Sequence, residues 1–453
     1  MDYRFDGSRD TNRFRRLAYP RPPRYPPSAM LDIRQIRENP DAVKARLDLR
    51  GGGFSGLIDE VLAADTERRA NETRWQHLQS ERKRLSKEIG ALRAKKEDSS
   101  PLEEESKQTG AEMEALQAAS AAADDRQRGL LLAIPNLPHD EIPHGADASA
   151  NPVLRTWGKP AAMDSPQDHV AIGARLGLFD PERAAKISGS GFMCYTGPGA
   201  RLERALIQFL LDLHTRDHGY TEMSPPFLVN RATMTGTGQL PKFEADLFGV
   251  TESDLFLIPT AEVPVTNFHR DEILAAESLP LRYVAYTPCF RREAGSTGRE
   301  TRGLIRMHQF DKVELVKITS PENSASELET LTADAERVLQ LLGLPYRVIE
   351  LCAGDLGFGA CRTYDIEVWA PGHNGWLEVS SCSNFGDYQA RRMALRHKGP
   401  DGKNRFCHTL NGSGTALARL YVALLENGLQ SDGSVHLPEP LQPYFGAARL
   451  VPA

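Results

Sequence analysis

Cysteine is scarce in this chain and follows no ligand spacing. The six cysteines are scattered, with no C-x-x-C pair among them. This pattern argues against a zinc ribbon and a disulfide scaffold, and it favours a reducing, cytoplasmic environment. Each thiol is expected to be a small buried apolar group, at Cys194, Cys289, Cys352, Cys361, Cys382 and Cys407.

Other features are absent as well. No apolar run is long enough to cross a bilayer, and neither a G-x-x-x-x-G-K-[ST] motif nor a βαβ alternation occurs, which argues against P-loop and Rossmann enzymes. The net charge is −6, so a nucleic acid would have to bind a local basic patch. A length of 453 residues predicts two or more domains.

Residues 1–29 differ from the rest in composition. They are rich in arginine and proline, and Asp2, Asp6 and Asp10 interrupt them. They lack the apolar core of a secretory signal, and the acids and prolines do not suit a transit helix. We therefore expect a disordered extension, and a well-patterned sequence begins at Met30.

Residues 30–135 are expected to form a helical arm domain. Apolar residues recur at spacings of three and four from 57 to 96 and again from 113 to 134, and Asp98–Pro101 interrupt the helix between the runs. Such heptads joined by a turn predict an antiparallel coiled-coil hairpin. With ~35 residues per helix at ~1.5 Å each, the arm reaches roughly 50 Å.

Basic side chains crowd the outer half of the first arm helix. Two interpretations fit them: a solvated face with i,i+4 ion pairs, or a track for the phosphates of RNA. The candidate RNA-binding residues are Arg82, Lys83, Arg84 and Lys87.

The remaining chain predicts an α+β domain. Residues 136–166 are rich in proline, glycine and polar residues and are expected to be a linker, while 167–453 mix helices and strands. Without βαβ units, the sheet should be mainly antiparallel and flanked by helices. Strands are predicted at 222–229, 255–258, 282–290, 304–316, 364–369 and 376–381, and helices at 202–218 and 415–426.

Two strand-like segments, 289–293 and 303–314, bracket a basic glycine-rich loop. Arg291 can fork onto a phosphate or a carboxylate, Glu293 can accept from an exocyclic amine, and Phe310 can lie flat against a purine. The combination indicates a clamp for a nucleoside triphosphate. A β-hairpin with an exposed charged loop is the alternative.

A second pair of segments, 364–369 and 376–381, predicts a hairpin in which Trp369 faces Trp376. The same register places Glu367 opposite Glu378, and like charges across a strand pair are destabilising. A divalent cation with phosphate oxygens would reverse that sign. The alternative is a solvent-exposed face.

Two shorter motifs are weaker signals. Gly412–Arg419 is expected to open a helix whose N-terminus favours an anion, with Arg419 reaching a terminal phosphate. Thr260-Ala261-Glu262 could hold an ammonium group, or Thr260 could simply cap a helix.

Taken together, these segments resemble the bacterial-type seryl-tRNA synthetases, which are class II aminoacyl-tRNA synthetases. The matching pieces run in the family's order over roughly 30–450. They include Gly219–Glu222 with Pro225-Pro226 (motif 1), Thr260–Glu262, Phe290–Glu314 (motif 2) and Thr409–Asn427 (motif 3).

The resemblance implies that ATP and L-serine form seryl-adenylate, and that the seryl group then moves to tRNA(Ser), and to tRNA(Sec) where that tRNA exists. It also implies Mg²⁺, a homodimer formed through motif 1, and no membrane association. The implied catalytic residues are Arg291, Glu378 and Arg419. The implied ATP-binding residues are Arg291, Arg292, Glu293, Met307, Phe310, Glu378, Val379, Ser380, Ser381 and Arg419, of which Glu378 and Ser381 would hold the metal. The implied serine-binding residues are Thr260, Ala261, Glu262, Arg291, Glu314 and Ser413.

One departure and two alternatives accompany this resemblance. Arg292 occupies a position often filled by a small residue, and we expect its side chain to point away from the site. An enzyme that loads an amino acid onto a carrier protein would lack the arm. A non-catalytic RNA-binding relative would be expected to lose Arg291, Glu378 or Arg419, and all three are present.

Overall fold

The structure is a computed structural model that describes residues 31–160, 165–294 and 303–452. The expected extension at 1–29 and most of the basic loop between the two strand-like segments lie outside the described residues.

The helices are α1 (Ile33–Glu38), α2 (Pro40–Asp48), α3 (Gly56–Lys95), α4 (Ser100–Ala133), α5 (His169–Leu176), α6 (Pro181–Ser188), α7 (Pro198–Arg216), α8 (Arg231–Gly236), α9 (Glu262–Thr266), α10 (Ser324–Leu341), α11 (Tyr388–Met393), α12 (Leu417–Gly428) and α13 (Gln442–Phe445). The strands are β1 (Val153–Trp157), β2 (Thr221–Glu222), β3 (Leu228–Asn230), β4 (Leu255–Leu257), β5 (Ile273–Leu274), β6 (Leu281–Phe290), β7 (Gln309–Thr319), β8 (Tyr346–Glu350), β9 (Arg362–Ala370), β10 (Gly375–Asn384), β11 (Arg396–Lys398), β12 (Asn404–Phe406), β13 (His408–Ala416), β14 (Val435–His436) and β15 (Arg449–Leu450). Among the described helices, none is both long and apolar enough to cross a lipid bilayer.

The predicted arm is the hairpin of α3 and α4. The helices contain 40 and 34 residues, and they bury a narrow seam that includes Leu78, Leu85, Met113 and Leu131. At its root, Ile58 and Leu131 pack with Ile36 and Leu47 of the short helices α1 and α2. The heptad pattern was sufficient to predict this hairpin, because the two helices follow one another in the chain and are joined by a short turn.

The central sheet has the strand order β1-β8-β9-β10-β13-β7-β6-β2 in the described part of the chain. Its pairs are antiparallel except for β2 with β6, which confirms the predicted sheet type. Helices α7, α10 and α12 pack on the sheet and supply much of the largest core. Because the middle strands β10, β13, β7 and β6 are held between neighbours, their side chains form a rigid floor.

The segment 136–166, for which we expected a linker, contains a strand of this sheet. Strand β1 pairs antiparallel with β8, and Trp157 lies opposite and stacks on Tyr346 with ring centroids 5.8 Å apart. The proline and glycine content at 136–166 concealed this strand, which is stabilised by a partner nearly 200 residues away in sequence.

Two predicted strands are shorter than expected. Residues 304–308 are not in β7, because the main-chain amides of Leu304 and His308 donate to His169 Nε2 (3.2 Å) and Gly191 O (2.8 Å) rather than to a strand. The predicted strand at 222–229 is divided into β2 and β3 at Pro225 and Pro226, which have no amide hydrogen to donate.

Gly412, Ser413 and Gly414 were expected at a helix N-terminus, and they lie instead inside strand β13. Helix α12 begins only at Leu417, so Arg419 is in its first turn. A Cβ at position 412 would lie 2.5 Å from Leu331 Cδ2 and 2.9 Å from Cys382 Sγ. Gly412 is therefore required by packing between β13, α10 and β10.

Replacing Gly412 with alanine is expected to destabilise the fold by about 1–3 kcal/mol, because Leu331 and Cys382 are completely buried and have little room to move. Thermal unfolding followed by circular dichroism measures the effect. The matched control is Gly90→Ala in helix α3, where a Cβ meets nothing within 4 Å and should be neutral or stabilising. Equal melting temperatures for Gly412→Ala and the unmodified chain would contradict the packing argument.

Candidate active site

A polar cavity of about 710 Å³ lies on the floor formed by the middle strands. It gathers residues that are far apart in sequence, and a volume of this size suits a nucleotide-sized ligand. The predicted site residues that line it are Thr260, Glu262, Arg291, Glu293, Met307, Phe310, Glu314, Glu378, Ser381, Ser413 and Arg419.

Four other predicted residues are not part of this lining in the described structure. The side chain of Arg292 is exposed, as expected from the sequence, and its main-chain amide donates to Asp246 O at 3.0 Å. Ala261, Val379 and Ser380 are buried. Ala261 lies just before helix α9, and the register of β10 shifts between Glu378 and Ser380, so that the two adjacent residues Val379 and Ser380 are both buried. Ser380 instead supports the floor by donating from Oγ to Ser413 O at 2.6 Å.

Arg291 and Phe310 form one end of the cavity. Strands β6 and β7 pair up to Phe290 and Gln309, so Arg291 emerges beside Phe310, with its guanidinium 5.2 Å from the ring centroid. Arg291 Nε also donates to Pro259 O at 3.3 Å. The remaining guanidinium N–H groups can therefore fork onto an anion, and Phe310 lines the cavity beside them.

Glu293 lines the same cavity, but its carboxylate already has a partner. Its carboxylate forms an ion pair with Arg306, a residue that the sequence did not single out. The backbone of Glu293 has a φ of +51°, a left-handed conformation that is uncommon for a residue with a side chain. If Glu293 accepts from a base amine, it must share or exchange the contact with Arg306.

Arg419 and Glu378 lie together at another side of the cavity. Arg419 Nη1 donates to Glu378 O at 2.7 Å and lies 3.5 Å from the carboxylate, while Arg419 Nε donates to Ile305 O at 3.3 Å. The side chain of Glu378 is 45% exposed. A cation and an anion are thus presented side by side to the cavity.

The predicted hairpin register is confirmed, with Trp376 opposite Trp369 and Glu378 opposite Glu367. The like charges are not left facing each other, however. Glu367 Oε2 accepts from Arg347 Nε at 2.5 Å, and Glu378 is paired with Arg419. The repulsion that suggested a cation is therefore already compensated by two arginines.

Glu378 and Ser381 can nevertheless contribute to a metal site if phosphate and water oxygens supply the other ligands. A carboxylate and a hydroxyl oxygen are hard ligands of the kind that Mg²⁺ combines with phosphate and water. Ser381 lies opposite Asp365 in the strand pair, and burial together with the charge of Glu378 raises the pKa of the Asp365 carboxyl well above its usual range. Among the described residues, no group of three or more acidic, histidine or cysteine side chains could hold a metal alone.

The other end of the cavity is acidic and buried. Glu314 of β7 lies opposite Ser413 of β13 and forms an ion pair with Lys312, whose Nζ is 2.5 Å from Oε2. Glu262 is 6% exposed, and burial together with the nearby Glu314 raises its pKa to about 7. Thr260 Oγ1 accepts from the Glu262 amide at 3.2 Å, so Thr260 serves the local turn as well as the cavity.

Gln389 was missed in the sequence and holds Glu262 in place. Its Nε2 donates to Glu262 Oε1 at 2.7 Å, and its Oε1 accepts from Thr409 Oγ1 at 2.7 Å. Gln389 lies in α11, distant in sequence from both partners, so no local pattern pointed to it. The segment 357–360, which also lines the cavity, was missed for the same reason.

The four basic candidates on α3, Arg82, Lys83, Arg84 and Lys87, have exposed side chains. Arg84 makes an i,i+4 ion pair with Glu88 at 2.9 Å. The geometry thus keeps both sequence interpretations possible, since an exposed ion pair of this kind is weak and exchanges readily for a phosphate.

Comparisons with known proteins cover both parts of the chain. The profile of the seryl-tRNA synthetase N-terminal domain matches residues 30–138, and that of the tRNA synthetase class II core domain (G, H, P, S and T) matches residues 243–428. A serine--tRNA ligase of Akkermansia muciniphila is 59% identical over 93% of this chain and 99% of its own length. One from Methylacidiphilum infernorum is 51% identical over 92% of this chain and 99% of its own length.

Solved structures agree with these relatives. Seryl-tRNA synthetase from Pyrococcus horikoshii, complexed with ATP, has a TM-score of 0.89 and 38% identity, covering 94% of this chain and 100% of its own. The cytoplasmic serine-tRNA ligase of Naegleria fowleri, in complex with AMP, has a TM-score of 0.84 and 28% identity, covering 93% of this chain and 98% of its own. The chain belongs to the seryl-tRNA synthetases, the class II enzymes that use ATP to attach serine to tRNA.

Proposed function

We propose that the single cavity carries out both steps of serine attachment. ATP binds beside Arg291 and Phe310, L-serine binds beside Glu262 and Glu314, and the serine carboxylate attacks the α-phosphorus. The bond between the α- and β-phosphates breaks, and pyrophosphate leaves. The seryl group then passes to a hydroxyl of the terminal ribose of tRNA, and AMP is released.

One observation carries this proposal: Arg291, Glu378 and Arg419 line the same cavity as Glu262 and Glu314, although they are dispersed over more than 150 residues. In-line displacement at phosphorus needs positioning and charge neutralisation rather than a protein nucleophile. The guanidinium of Arg291 can bind the α-phosphate and the serine carboxylate, and Arg419 can bind the terminal phosphate.

We assign the adenine to Phe310, Met307 and Glu293, and Mg²⁺ to Glu378 and Ser381. When bound, the metal would neutralise charge on the phosphates. Glu378 would then turn from Arg419 towards the metal, which leaves the Arg419 guanidinium available for phosphate. The similarity to a structure complexed with ATP supports the nucleotide assignment.

We assign the serine ammonium to Glu262 with Thr260, and the serine hydroxyl to Glu314 and Ser413. A buried polar group that pairs with a hydroxyl strongly disfavours an analogue without one, which explains selection of serine over alanine. Glu314 forms an ion pair with Lys312, and its carboxylate oxygens can accept a hydrogen bond from that hydroxyl.

The arm is proposed to bind tRNA(Ser) through Arg82, Lys83, Arg84 and Lys87. Since the amino-acid pocket is the same for any acceptor, tRNA(Sec) is proposed as a second substrate where that tRNA exists and fits the arm. We also propose a homodimer formed through motif 1, where Pro226, Phe227 and Leu228 are exposed together. A cytoplasmic location is supported by the six free cysteines.

Replacing Arg291 with alanine is expected to lower serine-dependent exchange of pyrophosphate into ATP by roughly 100- to 1,000-fold, since an essential charge partner of the transition state is lost. The neighbouring substitution Arg292→Ala is the control and should leave exchange near normal, because that side chain does not line the cavity. Unchanged exchange in Arg291→Ala would refute the assignment.

Serine binding should depend on pH through Glu262. Its raised pKa of about 7 means that the free carboxyl is largely protonated at pH 6, and a neutral carboxyl cannot attract the ammonium group. The KM for serine is expected to be about tenfold higher at pH 6 than at pH 8. Pyrophosphate exchange measured between pH 6 and pH 8 tests this.

The Glu262→Gln variant supplies the comparison. It should raise the KM at pH 8 and abolish this part of the pH dependence, because an amide does not titrate in that range. If Glu262→Gln retains the same pH profile as the unmodified enzyme, another group is responsible.

Deleting residues 60–132 is expected to leave pyrophosphate exchange largely intact and to abolish tRNA charging. Replacing Arg82, Lys83, Arg84 and Lys87 together with alanine should weaken charging and reduce its dependence on salt, because fewer counterions are released. Aminoacylation assays across salt concentrations measure both effects.

The control for the arm is Gln76→Ala with Gln79→Ala, two exposed neutral residues on the same helix. This pair should not affect charging. If the variant that lacks residues 60–132 charged tRNA at the full rate, the arm would have no role in the reaction.

A further inference from the structure

Residues 357–360, which form one wall of the cavity, are hydrogen-bonded to the root of the arm. Arg50, just beyond helix α2, donates from Nη1 to Ala360 O at 3.0 Å, and from Nη2 to Leu356 O at 2.9 Å and Gly357 O at 2.6 Å. The same Nη1 also donates to Asn136 O at 3.1 Å. One planar fork thus binds four carbonyl oxygens, a geometry that a lysine could not reproduce.

Asn136, just beyond helix α4, completes the contact from the other side of the arm root. Its main-chain amide donates to Phe358 O at 2.9 Å. Its side-chain Nδ2 donates to Gly359 O at 2.9 Å and to Phe385 O at 2.8 Å. Every carbonyl from 356 to 360 therefore accepts a hydrogen bond from one of two residues at the arm root, Arg50 and Asn136.

A third contact links the arm root to the opposite wall. Lys242 lies between the ring of Phe54, in the turn that precedes α3, and the ring of Phe358, with Nζ 4.8 Å and 4.6 Å from the two centroids. The next residue, Phe243, lines the cavity and packs edge-on against Phe358 at 5.9 Å. The segments 242–243 and 357–360, which lie on opposite sides of the cavity here, are thus both in contact with the arm root.

The roles already assigned to nucleotide and serine use none of residues 357–360. The substrate that remains is the 3′ end of the tRNA, which enters the cavity only in the second step. A wall fixed by the arm root would hold this entrance in shape at the time when the arm carries the RNA.

We propose that Arg50 and Asn136 are positioning residues for transfer of the seryl group to tRNA, acting through the 357–360 wall, and that they are dispensable for formation of seryl-adenylate. This inference rests on the proposed function of the cavity. Arg50 and Asn136 touch no substrate themselves. They set the position of a wall against which the RNA terminus is placed, and such positioning affects the rate of a step more than the binding that precedes it.

The test uses the full-length enzyme with Arg50→Lys, Arg50→Ala and Asn136→Asp. Asn136→Asp keeps the shape but replaces two N–H donors with an oxygen that faces two carbonyl oxygens. Exchange of pyrophosphate measures the first step, and single-turnover transfer from preformed seryl-adenylate to saturating tRNA measures the second. Hydrogen exchange of the peptide covering 356–361 reports directly on the wall.

We expect the rate of pyrophosphate exchange in all three variants to stay within about twofold of that of the unmodified enzyme. Transfer of the seryl group to tRNA should be at least about tenfold slower in Arg50→Ala and Asn136→Asp, and the transfer rate of Arg50→Lys should lie between those of Arg50→Ala and the unmodified enzyme. Amide exchange at 356–361 should rise in the same order. The KM for tRNA should change less than the transfer rate.

The matched control is Arg46→Ala. Arg46 lies on the same arm root and donates to a carbonyl outside the wall, that of Pro138, so its loss should leave transfer within about twofold. Equal slowing in Arg46→Ala, a change confined to the KM for tRNA, or equal losses in both steps would overturn the proposal. If Arg50→Ala fails to fold, Arg50→Lys and Asn136→Asp decide. Absence of serine-dependent exchange in the unmodified enzyme would instead refute the proposed function itself.

Discussion

Charges inside the cavity must be compensated before any substrate arrives. Removing an ionised side chain from water is costly unless an opposite charge or hydrogen bonds replace the lost hydration. The protein meets this requirement with local pairs: Arg419 with Glu378, Arg306 with Glu293, and Lys312 with Glu314. Glu262, which has only an amide as its close polar partner, holds its proton to a higher pH instead. Substrate binding then becomes an exchange of partners rather than the burial of new charge, and this keeps an acidic and basic cavity compatible with a stable sheet.

Much of the fold followed from local patterns. The arm helices were visible in their heptads, and the pairing of β9 with β10 was visible in the alternation that brings Trp369 to Trp376 and Glu367 to Glu378. The sequence could not show that the charge of Glu367 is compensated, because its partner Arg347 comes from another strand, β8. For the same reason Gly412 and Gly414 suggested an anion-binding helix start, whereas the packing of Leu331 and Cys382 requires a strand without a side chain at 412.

The candidate site shows the same division. Residues carried by motifs, such as Arg291, Phe310 and Arg419, were identifiable from their spacing and from the family resemblance. Gln389, Arg306 and Lys312 were not, since a supporting residue has no chemistry of its own to recognise and is defined only by what it contacts. Alternation along a strand also could not tell which neighbours of Glu378 face the cavity until the irregular register between Glu378 and Ser380 was known.

The contact between the arm root and the 357–360 wall is made with main-chain oxygens. The hydrogen bonds from Arg50 and Asn136 therefore do not depend on the side chains of that wall, although Phe358 adds a ring contact with Lys242. A single substitution at Arg50, by contrast, would release several of these oxygens at once, and one at Asn136 would release that of Gly359.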